Sequence, residues 1–190
     1  MGEVQLNVNL QCDLKQMKRF FVAIPISDGL RNLSTQVMEQ IKPMPGLRFT
    51  SLSNLHITAC FLGNFEESKI IELNNKLCLV SETMLPLELN LKGLTLAPPD
   101  KNHYMVWINF EPTHCFNRLC ATLDRFLLNK SPQKEYLPHI TLARFKNVQP
   151  DISDIILDKE HTEIVSKIVL YESDLRDEGP IYTAINEFGK

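Results

Sequence analysis

Two runs of this chain, 83 residues apart, are near copies of each other: His56-Ile57-Thr58-Ala59-Cys60-Phe61-Leu62 and His139-Ile140-Thr141-Leu142-Ala143-Arg144-Phe145. Each is β-branched and apolar apart from a His-x-Thr pair, so each reads as a strand carrying one polar patch. Side chains alternate along a strand. His56 and Thr58 therefore share a face, as do His139 and Thr141. Two such patches facing each other would supply two imidazoles and two hydroxyls around one cavity.

The flanking order repeats as well. An apolar strand at 20–24, Pro25 and a helix at 28–42 lead to His56; a strand at 104–110, Pro112 and a helix at 114–129 lead to His139. The proline precedes the histidine by 31 residues in the first unit and by 27 in the second. We read an internal duplication with the histidines at equivalent places. A pseudo-twofold arrangement would then let the equivalent strands meet across the axis. Strand order within the sheets does not follow from the sequence.

The remaining elements fill in around these units. Ser27 is placed to cap the first helix, with Leu30, Leu33, Val37 and Ile41 at helical spacing after it and Pro43 and Pro45 ending it. Leu47-Arg48-Phe49 is a short extended piece, and Gly63-Asn64 reads as a turn. A second helix is expected from Glu66 to Met84 and a half-buried strand from Leu87 to Leu96, followed by a turn at Pro98-Pro99-Asp100. A short helix or loop is expected near 150–158, then strands at 163–171 and 181–186 joined by Asp177-Glu178-Gly179-Pro180. Val4, Leu6, Val8 and Leu10 alternate with polar residues, as in an added edge strand or arm. The expected organisation is an N-terminal extension, 1–16, and a single domain, 17–190.

Composition narrows the class. With 190 residues, 44% of them hydrophobic and 23% charged, the chain fits one soluble globular domain with a full core. No apolar run approaches the 18 or so residues of a membrane-spanning helix, and the N-terminus has no secretory pattern. Gly2 is not followed by the Ser or Thr of a myristoylation site. A cytoplasmic protein with no membrane partner is expected. The five cysteines are odd in number and irregularly spaced, which reads as reduced, buried thiols. A net charge of −3 argues against a broad nucleic-acid surface, though not against a small site for one or two phosphates.

Two imidazoles that titrate near pH 6.5 can hold one proton between them near neutrality. In-line phosphoryl transfer from a ribose cyclic phosphate asks for that state. One ring takes a proton from the attacking water or hydroxyl, and the other gives one to the leaving oxygen. Threonine hydroxyls can donate to the non-bridging oxygens. No cofactor or metal is needed, and the sequence has no His-x-His, H-E-x-x-H or Cys/His ligand grouping. A lone His-x-Thr would read as a hydrogen-bonded core residue; its recurrence at the matching place makes a two-histidine site an equal reading.

The chain resembles the two-histidine (2H) phosphoesterase superfamily, and within it the RNA 2′,3′-cyclic phosphodiesterase family, also called 2′-5′ RNA ligases. The resemblance runs over about 17–188. It is carried by Arg19-Phe20-Phe21-Val22-Ala23-Ile24 as the opening strand, by Asn54-Leu55-His56-Ile57-Thr58-Ala59-Cys60-Phe61-Leu62-Gly63 and Pro138-His139-Ile140-Thr141-Leu142-Ala143-Arg144 as the two motifs, and by Leu170-Tyr171-Glu172-Ser173-Asp174-Leu175 with Gly179-Pro180-Ile181-Tyr182 as the closing hairpin. The family usually has Arg-Trp ahead of the first motif, where this chain has Arg48-Phe49; its only tryptophan, Trp107, lies in the second unit with packing as its expected role.

The resemblance implies a bilobal α+β fold: two pseudo-twofold-related lobes with antiparallel sheets and outer helices around a central cleft. It implies hydrolysis of a terminal 2′,3′-cyclic phosphate to a 2′-phosphate without metal, with an RNA end or short oligonucleotide as partner and a monomeric protein. Related activities are cleavage of 2′-5′ oligoadenylates, 2′-5′ ligation, and nucleotide binding with little catalysis. By position, His56 would be the proton donor, His139 the proton acceptor, and Thr58 and Thr141 the phosphate ligands. The family pattern adds Phe61 for base stacking and Arg144 for phosphate or base. Strict alternation places both on the opposite face, unless a bulge turns them in. Core packing stands beside stacking for Phe61, and a surface ion pair beside substrate contact for Arg144. Few basic residues flank the motifs, which favours short substrates. His103, His114 and His161 read as solvated.

Overall fold

The computed structural model describes residues 16–98, 102–157, 160–177 and 179–189. In chain order the elements are β1 (Met17–Pro25), α1 (Asp28–Ile41), β2 (Arg48–Phe49), β3 (His56–Glu66), α2 (Ile70–Met84), β4 (Leu87–Ala97), β5 (Met105–Phe110), α3 (His114–Leu128), β6 (His139–Arg144), β7 (Thr162–Val165), β8 (Lys167–Arg176) and β9 (Gly179–Gly189). The strands form one antiparallel sheet in the order β7-β4-β5-β6-β3-β1-β8-β9, with β2 paired to β6.

That order is symmetric about the contact between β6 and β3. The unit β1–α1–β3 lies on one side and β5–α3–β6 on the other, with β4 and β8 at matching places outside them. The duplicated strands meet at the axis, where Ile57 pairs with Ile140. The sheet curls, so that Leu87, Leu89 and Val165 from one end share a core with Ile168, Leu170 and Phe188 from the other.

Each unit lends its helix to the opposite half. Ile41 of α1 packs with Val106, Ala143 and Phe145 of the second lobe, whereas α3 lies against β3 and α2. Helix α1 starts at Ser27, whose Oγ accepts from the Leu30 amide at 3.2 Å. It buries Leu30, Val37 and Ile41, each contributing roughly 1.5–3 kcal/mol of transfer free energy. Helix α3 is capped by Thr113 and ends at Asn129 in the left-handed region (φ 51), where the Asn129 and Lys130 amides reach back to the last-turn carbonyls.

Several sequence-based expectations change. Gly63-Asn64 does not turn the chain: β3 runs on to Glu66, and Gly63, at φ 71, pairs with Phe20 while Leu62 is bulged out of register. The single strand expected at 163–171 is two, broken at Ser166; β7 is the edge strand beside β4, whereas β8 lies between β1 and β9, so the chain passes from one half of the curled sheet to the other within one residue. Residues 150–157 form a loop. His161 is only partly solvated: its side chain is half-buried and its Nε2 lies 3.2 Å from the Glu163 carboxylate. That carboxylate is 5% exposed and also accepts from the Ser27 amide at 3.0 Å and from Ser27 Oγ at 2.7 Å. Among the described cysteines, Cys60 and Cys120 are buried but Cys78 and Cys115 are exposed, and all four are free thiols. The alternation at Val4 to Leu10, Cys12 and the Pro99-Asp100 turn lie outside the described residues.

Candidate active site

The Ile57–Ile140 pair fixes the site. Both side chains are fully buried beneath the helices. In an antiparallel ladder the neighbours of such a pair point to the other face. His56 is thereby brought opposite Thr141, and Thr58 opposite His139, all four on the concave side of the sheet. A pairing across one axis has joined residues from two ends of the sequence.

Both imidazoles are held by the carbonyl two residues upstream. His56 Nδ1 is 2.7 Å from the Asn54 oxygen, and His139 Nδ1 is 2.7 Å from the Leu137 oxygen. A carbonyl only accepts, so Nδ1 carries the hydrogen in each ring and Nε2 is left for chemistry. His56 Nε2 lies 3.0 Å from Thr58 Oγ1. The supporting carbonyls are themselves tethered. Asn54 Nδ2 donates to the Pro180 oxygen at 2.7 Å. Before Leu137, the Tyr136 amide donates to Asn117 Oδ1 at 2.8 Å, and the Tyr136 hydroxyl to the buried Asp124 carboxylate at 2.5 Å.

Burial pushes both imidazoles below their ordinary value of 6.5. For His56 the Asn54 carbonyl opposes the shift. For His139 burial dominates, the Leu137 carbonyl opposes it, and the nearby positive charges of His56 and Arg144 add to it.

Alternation fails at the same place in both motifs, and this decides the position of Phe61 and Arg144. Thr58 pairs with Ala23 and Cys60 with Val22, leaving Ala59 without a partner; Thr141 pairs with Trp107 and Ala143 with Val106, leaving Leu142 without one. Each extra residue is a β-bulge that shifts the facing by one. Ala59 and Cys60 are consecutively buried, as are Leu142 and Ala143. Phe61 and Arg144 return to the concave face. Phe61 is 68% exposed, so it is not a core residue. Arg144 sits opposite Arg48 of β2 and its Nη1 lies 3.0 Å from Met105 Sδ.

The structure adds residues that sequence reasoning left outside the site. Phe21 and Tyr182 pack on the His56 ring, with centroids at 5.0 and 5.3 Å, and Tyr171 stacks on Phe21 at 5.2 Å. Trp107 stacks on His139 at 3.6 Å. A cavity of about 430 Å³ opens beside His139, Thr58 and Phe61, with Lys130, Gln133 and Glu135 at its wall and Asp124 at its buried side. Tyr171 and Tyr182 do fall in the closing hairpin, which was the only sequence signal for them. Among the described residues, no group of three or more His, Cys, Asp or Glu is placed to hold a metal ion, and no helix is long and apolar enough to cross a membrane.

A curled sheet of this topology with two His-x-Thr strands meeting at its axis defines a two-histidine phosphoesterase. The chain belongs to the LigT-like phosphoesterase family, whose model, described as LigT like phosphoesterase, matches residues 24–107. It is 30% identical over 179 residues to a Methanocaldococcus jannaschii protein named RNA 2′,3′-cyclic phosphodiesterase, covering 90% of this chain and 99% of that one. It is 28% identical over 182 residues to the Methanothermobacter thermautotrophicus protein of the same name, covering 90% and 97%. Among solved structures, TT0787 of Thermus thermophilus superposes with a TM-score of 0.78 at 24% identity, over 90% of this chain and 97% of that one. Escherichia coli LigT complexed with 3′-AMP superposes at 0.69 and 21% identity, over 92% and 98%. The expected fold class is therefore the observed one, and the family is one of enzymes.

Proposed function

We propose that this protein is an RNA 2′,3′-cyclic phosphodiesterase that opens a terminal cyclic phosphate to a 2′-phosphate without metal. The observation that carries the reading is the antiparallel Ile57–Ile140 pair, which sets one imidazole and one hydroxyl from each motif around a single concave patch. The names of the relatives at 28% and 30% identity agree with it, as does the binding of 3′-AMP by a protein of the same fold.

In this reading the cyclic phosphate lies between the two Nε2 atoms. His139 Nε2 accepts a proton from water as the water oxygen forms its bond to phosphorus. The P–O3′ bond opposite breaks, and His56 Nε2–H protonates O3′ as it leaves. One proton is gained by His139 and one lost by His56, and exchange with solvent restores both. The 2′-oxygen keeps the phosphate. Thr58 and Thr141 donate to the non-bridging oxygens, where charge accumulates. Arg144 adds positive charge at the same side, and Phe61 offers a face to a base. A free enzyme whose two rings are both held below 6.5 is mostly unprotonated at neutrality; an arriving phosphate anion favours the imidazolium that the donor requires. Phosphorus NMR of a cyclic-ended dinucleotide incubated with the protein in chelator tests this. A 2′-phosphate product is expected, and a 3′-phosphate product or a chelator-sensitive reaction would overturn the reading.

One observation favours a second activity at the same site. The cavity beside His139 is about 430 Å³, whereas a water molecule takes about 30 Å³. That is the side from which the nucleophile approaches. A nucleoside 5′-hydroxyl seated there in place of water would form the bond to phosphorus as P–O3′ breaks and give a 2′-5′ linkage, and the reverse reaction would cleave one. Turnover of a 2′-5′ adenylate dimer tests it.

A further inference from the structure

Trp107 lies parallel to the imidazole of His139, with ring centroids 3.6 Å apart and planes within 16°. It stands opposite Thr141 on β5, two residues from Asn109, the partner of His139. Two features indicate that the indole is there for its face. The matching place in the first lobe, opposite Thr58, is Ala23; the rings against His56 come instead from Phe21 and Tyr182, tilted by 40° and 83°, so the parallel stack is particular to His139. In addition, Trp107 is 8% exposed and its Nε1 has no hydrogen-bond partner among the described residues. A buried indole usually finds an acceptor, and a phenyl ring would pack here with no orphaned N–H. What tryptophan adds is the strongest aromatic face for a cation.

We propose that Trp107 is a positioning residue for His139: its face fixes the plane of the imidazole and stabilises the imidazolium formed when His139 takes a proton from the nucleophile. The proposal rests on the reading of His139 as the proton acceptor. The hydrogen bond from Nδ1 to the Leu137 carbonyl fixes one point of the ring but leaves it free to tilt about that bond. The stack removes the tilt and so aims Nε2. Around His139, the charge of His56 on β3 and of Arg144 on β6 oppose a positive ring, while Lys130, Glu135 and Asp124 line the adjacent cavity. Trp107 and the Leu137 carbonyl are the contacts that oppose burial and these like charges.

The test is an NMR titration of the histidine side chains in the ligand-free protein, wild type against Trp107→Phe and Trp107→Met. Methionine fills much of the volume but offers no aromatic face. The His139 midpoint is expected to fall by about half a pH unit in Trp107→Met and to recover most of the way in Trp107→Phe, with the His56 midpoint unchanged as an internal measure of folding. In kinetics, kcat of Trp107→Met falls several-fold with KM little changed. An unchanged His139 midpoint in folded Trp107→Met overturns the proposal, whatever the substrate. A shifted midpoint in a protein that leaves cyclic phosphates untouched keeps Trp107 as the partner of His139 and overturns the hydrolytic reading instead.

Discussion

Ile57 and Ile140 face each other as an antiparallel pair at the centre of the sheet, and neither has any exposed surface. The facing of both His-x-Thr pairs is set by their burial. Turning either isoleucine outward would turn its histidine and threonine inward, and the sheet cannot slip by one residue without exchanging the core for the site. Ile57→Ala or Ile140→Ala is expected to cost about 2–5 kcal/mol of stability, read as a fall in the midpoint of chemical denaturation. A variant with wild-type stability would contradict the placement of the axis.

The two lowered imidazoles set a pH dependence. Their folded-state values lie below 6.5, so between those values and 6.5 the unfolded chain binds more protons than the folded one. Stability contributed by these groups is present above about pH 6.5 and is lost as pH falls through the folded values. In the proposed mechanism activity runs the other way on the basic side, since a proton donor needs its proton. The maximum of kcat/KM is expected below pH 6.5, and that of kcat at higher pH once a phosphate anion is bound. A kcat/KM maximum at pH 8 would contradict the burial of these rings.

Phe61 is exposed on the concave face because of the bulge at Ala59. Phe61→Ala should therefore leave thermal stability within about 0.5 kcal/mol of wild type while weakening substrate binding by about 1–3 kcal/mol, the usual worth of an aromatic platform under a base. Paired measurements of KM and melting temperature check it; a large loss of stability would return Phe61 to the core.

Glu163 presents the reverse case, a buried carboxylate away from the chemistry. It joins β7 to the N-terminus of α1 through Ser27, and His161 lies against it. Glu163→Ala leaves the Ser27 donors without their acceptor, at a cost of about 1–3 kcal/mol. Thermal unfolding is expected to show this with kcat unchanged, and an equal loss of kcat in the fully folded variant would place Glu163 in the site.

Much of this molecule was legible in its sequence, and where it was not, the reasons are local. The duplication of Pro25 to His56 and Pro112 to His139 gave the pseudo-symmetry, because repeated order survives without any knowledge of register. Phe61 and Arg144 were ambiguous because a period of two carries no sign of an inserted residue. The one available clue was the pair of consecutive apolar residues after each threonine, Ala59-Cys60 and Leu142-Ala143. Gly63 signalled positive φ correctly, but a bulge uses that conformation as readily as a turn does. The break at Ser166 was hidden because both flanking segments are strands and only the curl of the sheet requires the chain to cross from one half to the other there. Trp107 and Tyr182 reach the histidines through pairings that no spacing encodes.

The central claim is that His56 and His139 act together on one phosphate. It is tested most directly by the rate of opening of a cyclic-ended RNA in chelator by His56→Ala, His139→Ala and the double variant, each shown to be folded. Each single variant is expected to lose about 10²–10⁴-fold in kcat, and the double variant to lose little more than either, because the two rings serve one transition state. A single variant that keeps most of the wild-type rate would contradict the account.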